Sequence, residues 1–136
     1  MHIDGGCHCG NILYEAEVDP DTVTICHCTD CQVLSGTAFR TTIQAPAESF
    51  RLLKGQPKIY IKTAESGTKR AHGFCPDCAT PIYATSVTDQ KLYGIRLGTV
   101  RQRKELRPKC QNWYRSALAW TGNLDALPKF DKSNRK

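Results

Sequence analysis

Seven cysteines of this chain fall into three short motifs, Cys7-His8-Cys9, Cys26-His27-Cys28-Thr29-Asp30-Cys31 and Cys75-Pro76-Asp77-Cys78, and an eighth, Cys110, stands alone. Thiolates at C-x-C and C-x-x-C spacing are a ligand pattern of zinc. On an extended strand a C-x-C pair turns both sulfurs to one face, so Cys7 and Cys9 can share an ion while His8 points away. Pro76 and Asp77 favour a tight turn that lets Cys75 and Cys78 converge on one ion. Joining these two pairs makes a four-thiolate site and leaves Cys26, Cys28 and Cys31 as a three-ligand set. Full protein coordination marks structural zinc, whereas three protein ligands leave a position for water or substrate. Two zinc ions per chain are the expectation, the second of them catalytic.

Three other uses of the cysteines compete. A disulfide framework needs an oxidising compartment, and residues 1–6 lack the basic start and apolar run of a secretory signal. A thioredoxin-type redox pair needs a βαβ setting that neither C-x-x-C has. Two purely structural zincs, with Cys110 or a histidine completing the second, stay open as an alternative. His27 is expected to turn outward by strand alternation, and His2 and His72, which carry no motif, to be surface or strand residues. Cys110 is expected to be a buried, unreactive thiol.

The elements that must position these motifs are short and extended. Apolar residues alternate through Ile12, Tyr14, Ala16 and Val18 after a turn signal at Asp4-Gly5-Gly6, and Asp19-Pro20-Asp21 ends the run. Further strands are predicted over 22–25, 39–43, 50–53, 58–62, 70–74, 81–84 and 92–97. Turns at Gly55, Pro57, Gly67 and Asp89-Gln90 make antiparallel pairing the cheapest connection. One helical turn is predicted over 29–35, with Asp30 early and Gly36 as its stop. The fold class is therefore mainly β, in one domain over 1–130, followed by a basic tail over 131–136.

With 136 residues the chain is long enough for one hydrophobic core, and no compositional break divides it. Nineteen basic residues against thirteen acidic give a formal charge of +6, which favours anionic partners. Part of that charge lies in Arg101, Arg103, Lys104, Arg107 and Lys109 and in the tail, read as solvated ends rather than a nucleic-acid surface. No segment reaches the length of a membrane span, and a cytoplasmic location is expected.

The stretches Gly5-Gly6-Cys7-His8-Cys9-Gly10, Cys26-His27-Cys28-Thr29-Asp30-Cys31 and Phe74-Cys75-Pro76-Asp77-Cys78-Ala79-Thr80-Pro81 resemble the glutathione-dependent formaldehyde-activating enzyme family, which includes relatives of centromere protein V. Tyr14-Glu15, Ser35-Gly36 and a late segment with Leu124-Asp125-Ala126-Leu127-Pro128-Lys129-Phe130 support the likeness. The resemblance implies a β-tent fold, similar to the yippee proteins and methionine sulfoxide reductase B. It also implies a structural zinc on Cys7, Cys9, Cys75 and Cys78 and a catalytic zinc on Cys26, Cys28 and Cys31. Two positions depart from the pattern: Ala79 stands where a glycine is common, and Asn112 precedes Trp113 where a histidine is frequent. The activity implied is that of a carbon–sulfur lyase acting on glutathione and formaldehyde, with Arg40, Lys54, Lys69, Arg70 and Arg96 as candidates to recruit an anionic thiol. The alternative is a non-catalytic zinc module that binds a macromolecular partner. It would show a basic face opposite or remote from a filled three-cysteine site.

Overall fold

The computed structural model describes residues 1–135, so Lys136 of the predicted tail lies outside the described residues. In chain order the elements are β1 (His2–Gly6), β2 (Leu13–Glu17), β3 (Thr24–Cys26), α1 (Thr29–Ser35), β4 (Arg40–Pro46), β5 (Arg51–Lys54), β6 (Lys58–Thr63), β7 (Lys69–Phe74), β8 (Pro81–Ser86), β9 (Leu92–Arg96) and β10 (Cys110–Asn112), joined by 3-10 turns. They form a three-stranded sheet, β1-β2-β5, and a seven-stranded sheet, β10-β3-β4-β9-β8-β7-β6. The fold is mainly β and antiparallel, as predicted; β3 and β10 alone pair in parallel.

Two strands were not predicted. The Asp4-Gly5-Gly6 turn signal is instead part of β1, with Gly5 paired to Tyr14 and Gly6 to Leu13. A Cβ on Gly5 would collide with the Thr99 carbonyl oxygen and sit 2.6 Å from the Tyr14 hydroxyl, so the glycine marks a close approach of two chain segments. The other, β10, is only three residues long and contains Gln111 and Asn112; it exists because β3 offers it an edge.

The core includes the fully buried Ile3, Ile12, Tyr14, Val23, Ile43, Ile82, Ile95 and Val100, contributed by strands of both sheets and the loops between them. Antiparallel register then sorts the seven-stranded sheet into two faces, because directly opposed residues project to the same side. Ile43, Ile95 and Tyr83 are opposed in turn on the core face. On the other face Thr42 opposes Arg96, Ala84 links Gly94 to His72, and His72 opposes Tyr60. By alternation Arg40 joins this face with its partner Cys26, and so do Lys62 and Arg70.

Helix α1 lies over that second face. Its Asp30 forms a 2.9 Å ion pair with Lys62 of β6, on the far side of the sheet from β3. Its start and stop follow from local chemistry. The Cys28 sulfur accepts the Cys31 backbone N–H at 3.2 Å as an N-cap, and Gly36 ends it at φ +70°, with its N–H on the Gln32 carbonyl at 2.9 Å.

Candidate metal centres

The loop after β1 and the turn between β7 and β8 bring four sulfurs together. Those of Cys7, Cys9, Cys75 and Cys78 all lie within 4.8 Å of one another. Cys7 and Cys9 are 3.7 Å apart and Cys9 and Cys75 3.8 Å. Four sulfurs at the corners of a tetrahedron around zinc, each ~2.3 Å from the ion, are ~3.8 Å apart. The spacing thus fits a zinc ion, and all eight cysteines of the chain are free thiols. Backbone N–H groups already point at the sulfurs: Ile12 donates to Cys7 at 3.2 Å, and Asp77 to Cys75 at 3.4 Å. The set joins the three-stranded sheet to the seven-stranded one, and two polar contacts reinforce that seam. Asn11 donates to Asp77 at 2.6 Å, and the His8 N–H donates to the Thr80 hydroxyl at 3.1 Å.

The second set is local. Cys26 ends β3, Cys28 caps α1 and Cys31 lies in its first turn, and their three sulfurs also lie within 4.8 Å of one another. Among the described residues no other His, Cys, Asp or Glu joins them. Arg40, opposite Cys26 across the sheet, donates to the Cys31 sulfur at 3.0 Å, a charge-assisted bond that favours thiolate.

Protonation differs among the sulfurs. The Thr80 hydroxyl, with further help from backbone N–H groups, brings the Cys78 thiol down to about 5. The Asn11 N–H pulls Cys9 down, but loss of solvent and the neighbouring sulfurs of Cys7, Cys78 and Cys75 together push it up to about 12. Burial, then Cys28, pushes Cys31 up to about 12. Burial also opposes ionisation of Cys28, yet bonds from Cys31, with help from Cys26 and the Lys62 charge, bring it below the usual thiol range. In each set one sulfur ionises well ahead of another, as expected where thiols share protons before a cation replaces them.

The model of the glutathione-dependent formaldehyde-activating enzyme family matches residues 2–116, which contain every one of these cysteines. The chain belongs to that family. The match ends at Ser116, so the segment from Leu124 to Phe130 lies outside it. The crystal structure of a Rhodobacter sphaeroides protein has a similar fold, with a TM-score of 0.62 and 18% identity, covering 80% of this chain and 99% of that one. None of the curated proteins compared matches the chain.

Two cavities of about 330 and 360 Å³ adjoin beneath α1, sharing Leu34, Arg40, Pro81 and Arg96 as lining. The first also reaches Tyr60 and His72, neither of which stood out in the sequence. Their signal was the period-2 pairing of Arg70 with His72 and Tyr60 with Lys62 on neighbouring strands, which is visible only once the register is known. His72 is buried, and desolvation, then Arg96 and the other nearby cations, pulls it down to about 3. It is therefore neutral near pH 7, and its Nδ1 is 3.2 Å from Arg96 Nη2, positioned to accept from it. Of the other cationic candidates, Lys54 lies on the smaller sheet, and Lys69 is an exposed end of β7.

His27 does not turn outward. It is 1% exposed, its Nε2 lies 2.7 Å from Gln111 Oε1, and its ring packs against Phe39 and Tyr114. The strand ends at Cys26, so alternation no longer governs the next residue, and β10 covers it. Cys110 is exposed rather than buried, because β10 is an edge strand; its sulfur is 3.6 Å from the Thr24 hydroxyl. Asn112, where the family frequently has histidine, is paired with Cys26, and its carbonyl accepts the His27 N–H at 3.0 Å.

The other departure from the family pattern has an energetic consequence. Ala79 has φ +66°, a left-handed conformation that a Cβ disfavours by ~1 kcal/mol or somewhat more. Glycine would remove that strain but adds roughly 0.4–1 kcal/mol of unfolded-state entropy. Ala79→Gly is expected to raise stability by about 0.5 kcal/mol, read as a small rise in the denaturation midpoint with unchanged metal content. A fall in the midpoint would show that the turn does not need the glycine.

Proposed function

We propose that the chain is a zinc-dependent carbon–sulfur lyase that forms or cleaves a thiol–aldehyde adduct such as S-hydroxymethylglutathione. The observation that carries this is the pairing of a four-sulfur set with a three-sulfur set that, among the described residues, has no fourth protein ligand and is linked to the cleft under α1 by Arg40. Cys7, Cys9, Cys75 and Cys78 would hold a structural zinc, and Cys26, Cys28 and Cys31 a catalytic one. A zinc ion held there would favour the thiolate form of a thiol, the form that adds to a carbonyl.

The chain's own groups account for the rest. Arg40 stabilises negative charge on Cys31 and so on the ligand set. Leu34, Phe74 and Pro81 exclude water from the cleft walls. In the forward direction the thiol sulfur forms a bond to the formaldehyde carbon, the carbonyl π pair moves to oxygen, and the proton lost by sulfur ends on that oxygen. Cleavage is the reverse.

The alternative, a non-catalytic module for a macromolecular partner, requires a basic face remote from the three-cysteine set. The exposed Arg101, Arg103, Lys104, Arg107 and Lys109 are the cluster such a module would use, whereas Arg40, Arg70 and Arg96 lie on the sheet face that carries Cys26, which supports the enzyme reading. Free thiols and the reducing chemistry of the substrate suit a cytoplasmic location, with 1–130 as the functional domain and 131–136 as a solvated tail. Among the described residues no helix is long and apolar enough to cross a membrane.

Exchange spectroscopy of glutathione with formaldehyde tests the proposal. Micromolar protein should accelerate interconversion of free and hydroxymethylated thiol; an unchanged rate removes this substrate pair.

A further inference from the structure

We propose that Arg96, with Arg40 beside it, binds a carboxylate of the substrate, so that the site selects thiols bearing a carboxylate over neutral ones. This inference rests on the enzyme reading for its thiol, but not for its anion.

Arg96 is 7% exposed, and it lines both cavities. Burying a cation without a partner is costly, so buried charges are normally paired. Arg96 has no such pair. Its Nη2 meets only the neutral His72, and its Nε is buried with no hydrogen-bond partner. Among the described residues no ion pair involves Arg40, Arg70 or Arg96. The neighbouring charges make this worse. Lys62 is matched by Asp30, and Arg40 donates to the Cys31 sulfur, but among the described residues neither Arg70 nor Arg96 is paired with a carboxylate. A zinc ion on three thiolates carries a net charge of −1, which leaves an excess of cationic charge even with the metal site filled.

A guanidinium presents planar, paired donors matched to a carboxylate, and in a site walled by Leu34, Phe74 and Pro81 that bond is poorly screened. A small carboxylate entering the cleft meets the cleft-facing side of Arg96 and offsets the repulsion among the arginines. Arg40 lines the same cleft and donates to the Cys31 sulfur at 3.0 Å, which links the anion's position to the three-cysteine set.

The test uses the metal-bearing protein as purified, with 3-mercaptopropionate, its amide, the thiol-free 3-(methylthio)propionate and inorganic phosphate as ligands, measured by calorimetry. The acid should bind at least tenfold more tightly than the amide, and the thiol-free acid should compete with it. Arg96→Gln should bring the acid-to-amide ratio close to one. Arg96→Lys, which keeps the charge without the fork, should give an intermediate ratio and serves if the glutamine variant folds poorly. Equal affinity for acid and amide in the unmodified protein, a ratio unaffected by either variant, or tighter binding of phosphate than of carboxylate would overturn the proposal. If carboxylate selection holds while glutathione–formaldehyde exchange is not accelerated, only the proposed reaction falls. If exchange is accelerated without carboxylate selection, only the role of Arg96 falls.

Discussion

Cys75→Ser should yield a chain that no longer unfolds cooperatively and that carries at most one zinc. Cys75 is fully buried within the hydrophobic core cluster, and its sulfur belongs to the set that ties the loop after β1 to the β7–β8 turn. The substitution removes one of four thiolates at the seam between the two sheets. Structural zinc in small domains contributes ~10–16 kcal/mol of apparent binding energy, comparable with or larger than the ~5–15 kcal/mol by which a domain this size is stable. A large fraction of that binding energy is therefore enough to abolish the fold. Near-UV circular dichroism, thermal unfolding and metal analysis together check this. A cooperative transition near that of the unmodified protein, with two zinc ions still bound, would mean that the four sulfurs are not a structural site.

The cysteine pairs and the mainly β character were legible because both depend on local spacing, and the two clusters of sulfurs are the ones the spacing suggested. Cys7 and Cys9 lie in the turn after β1 rather than on the strand expected for them, yet at this short spacing their sulfurs still meet, as do those of Cys75 and Cys78 on their turn, and alternation through Ile12, Tyr14, Ala16 and Val18 marks β2 directly. The cleft was harder to see. Arg40, Arg96, His72 and Tyr60 come from four strands, and their common face emerges only from the order β4-β9-β8-β7-β6, which no local pattern encodes. The same limit explains His27 and Cys110. Whether either is buried depends on β10, a three-residue strand of weak intrinsic preference that lies against β3 from more than eighty positions away. The Gly5-Gly6 pair was misleading for a related reason: glycine serves a turn and a close chain crossing equally well.

Cys28→Ser should have the opposite profile from Cys75→Ser, a folded domain with no catalysis. Cys28 is the N-cap of α1, where its sulfur accepts the Cys31 N–H. Serine is among the best residues for that position, so the helix keeps its cap and the fold loses little. Replacement by alanine would instead sacrifice ~1 kcal/mol of capping and blur the comparison. A hydroxyl cannot replace the thiolate, however, and a set reduced to Cys26 and Cys31 no longer offers three protein ligands to an ion. Altering groups that merely orient metal ligands typically costs 10–100-fold in affinity or activity, so losing a ligand itself should cost at least ~100-fold in the acceleration of glutathione–formaldehyde exchange. The thermal midpoint should stay within a few degrees of the original, and metal content should drop from about two per chain towards one. The decisive comparison is between the two variants. If Cys28→Ser unfolds the chain as thoroughly as Cys75→Ser, both sets are structural and the binding-module alternative gains. If it folds and still accelerates exchange, the three-cysteine set is not where the chemistry occurs.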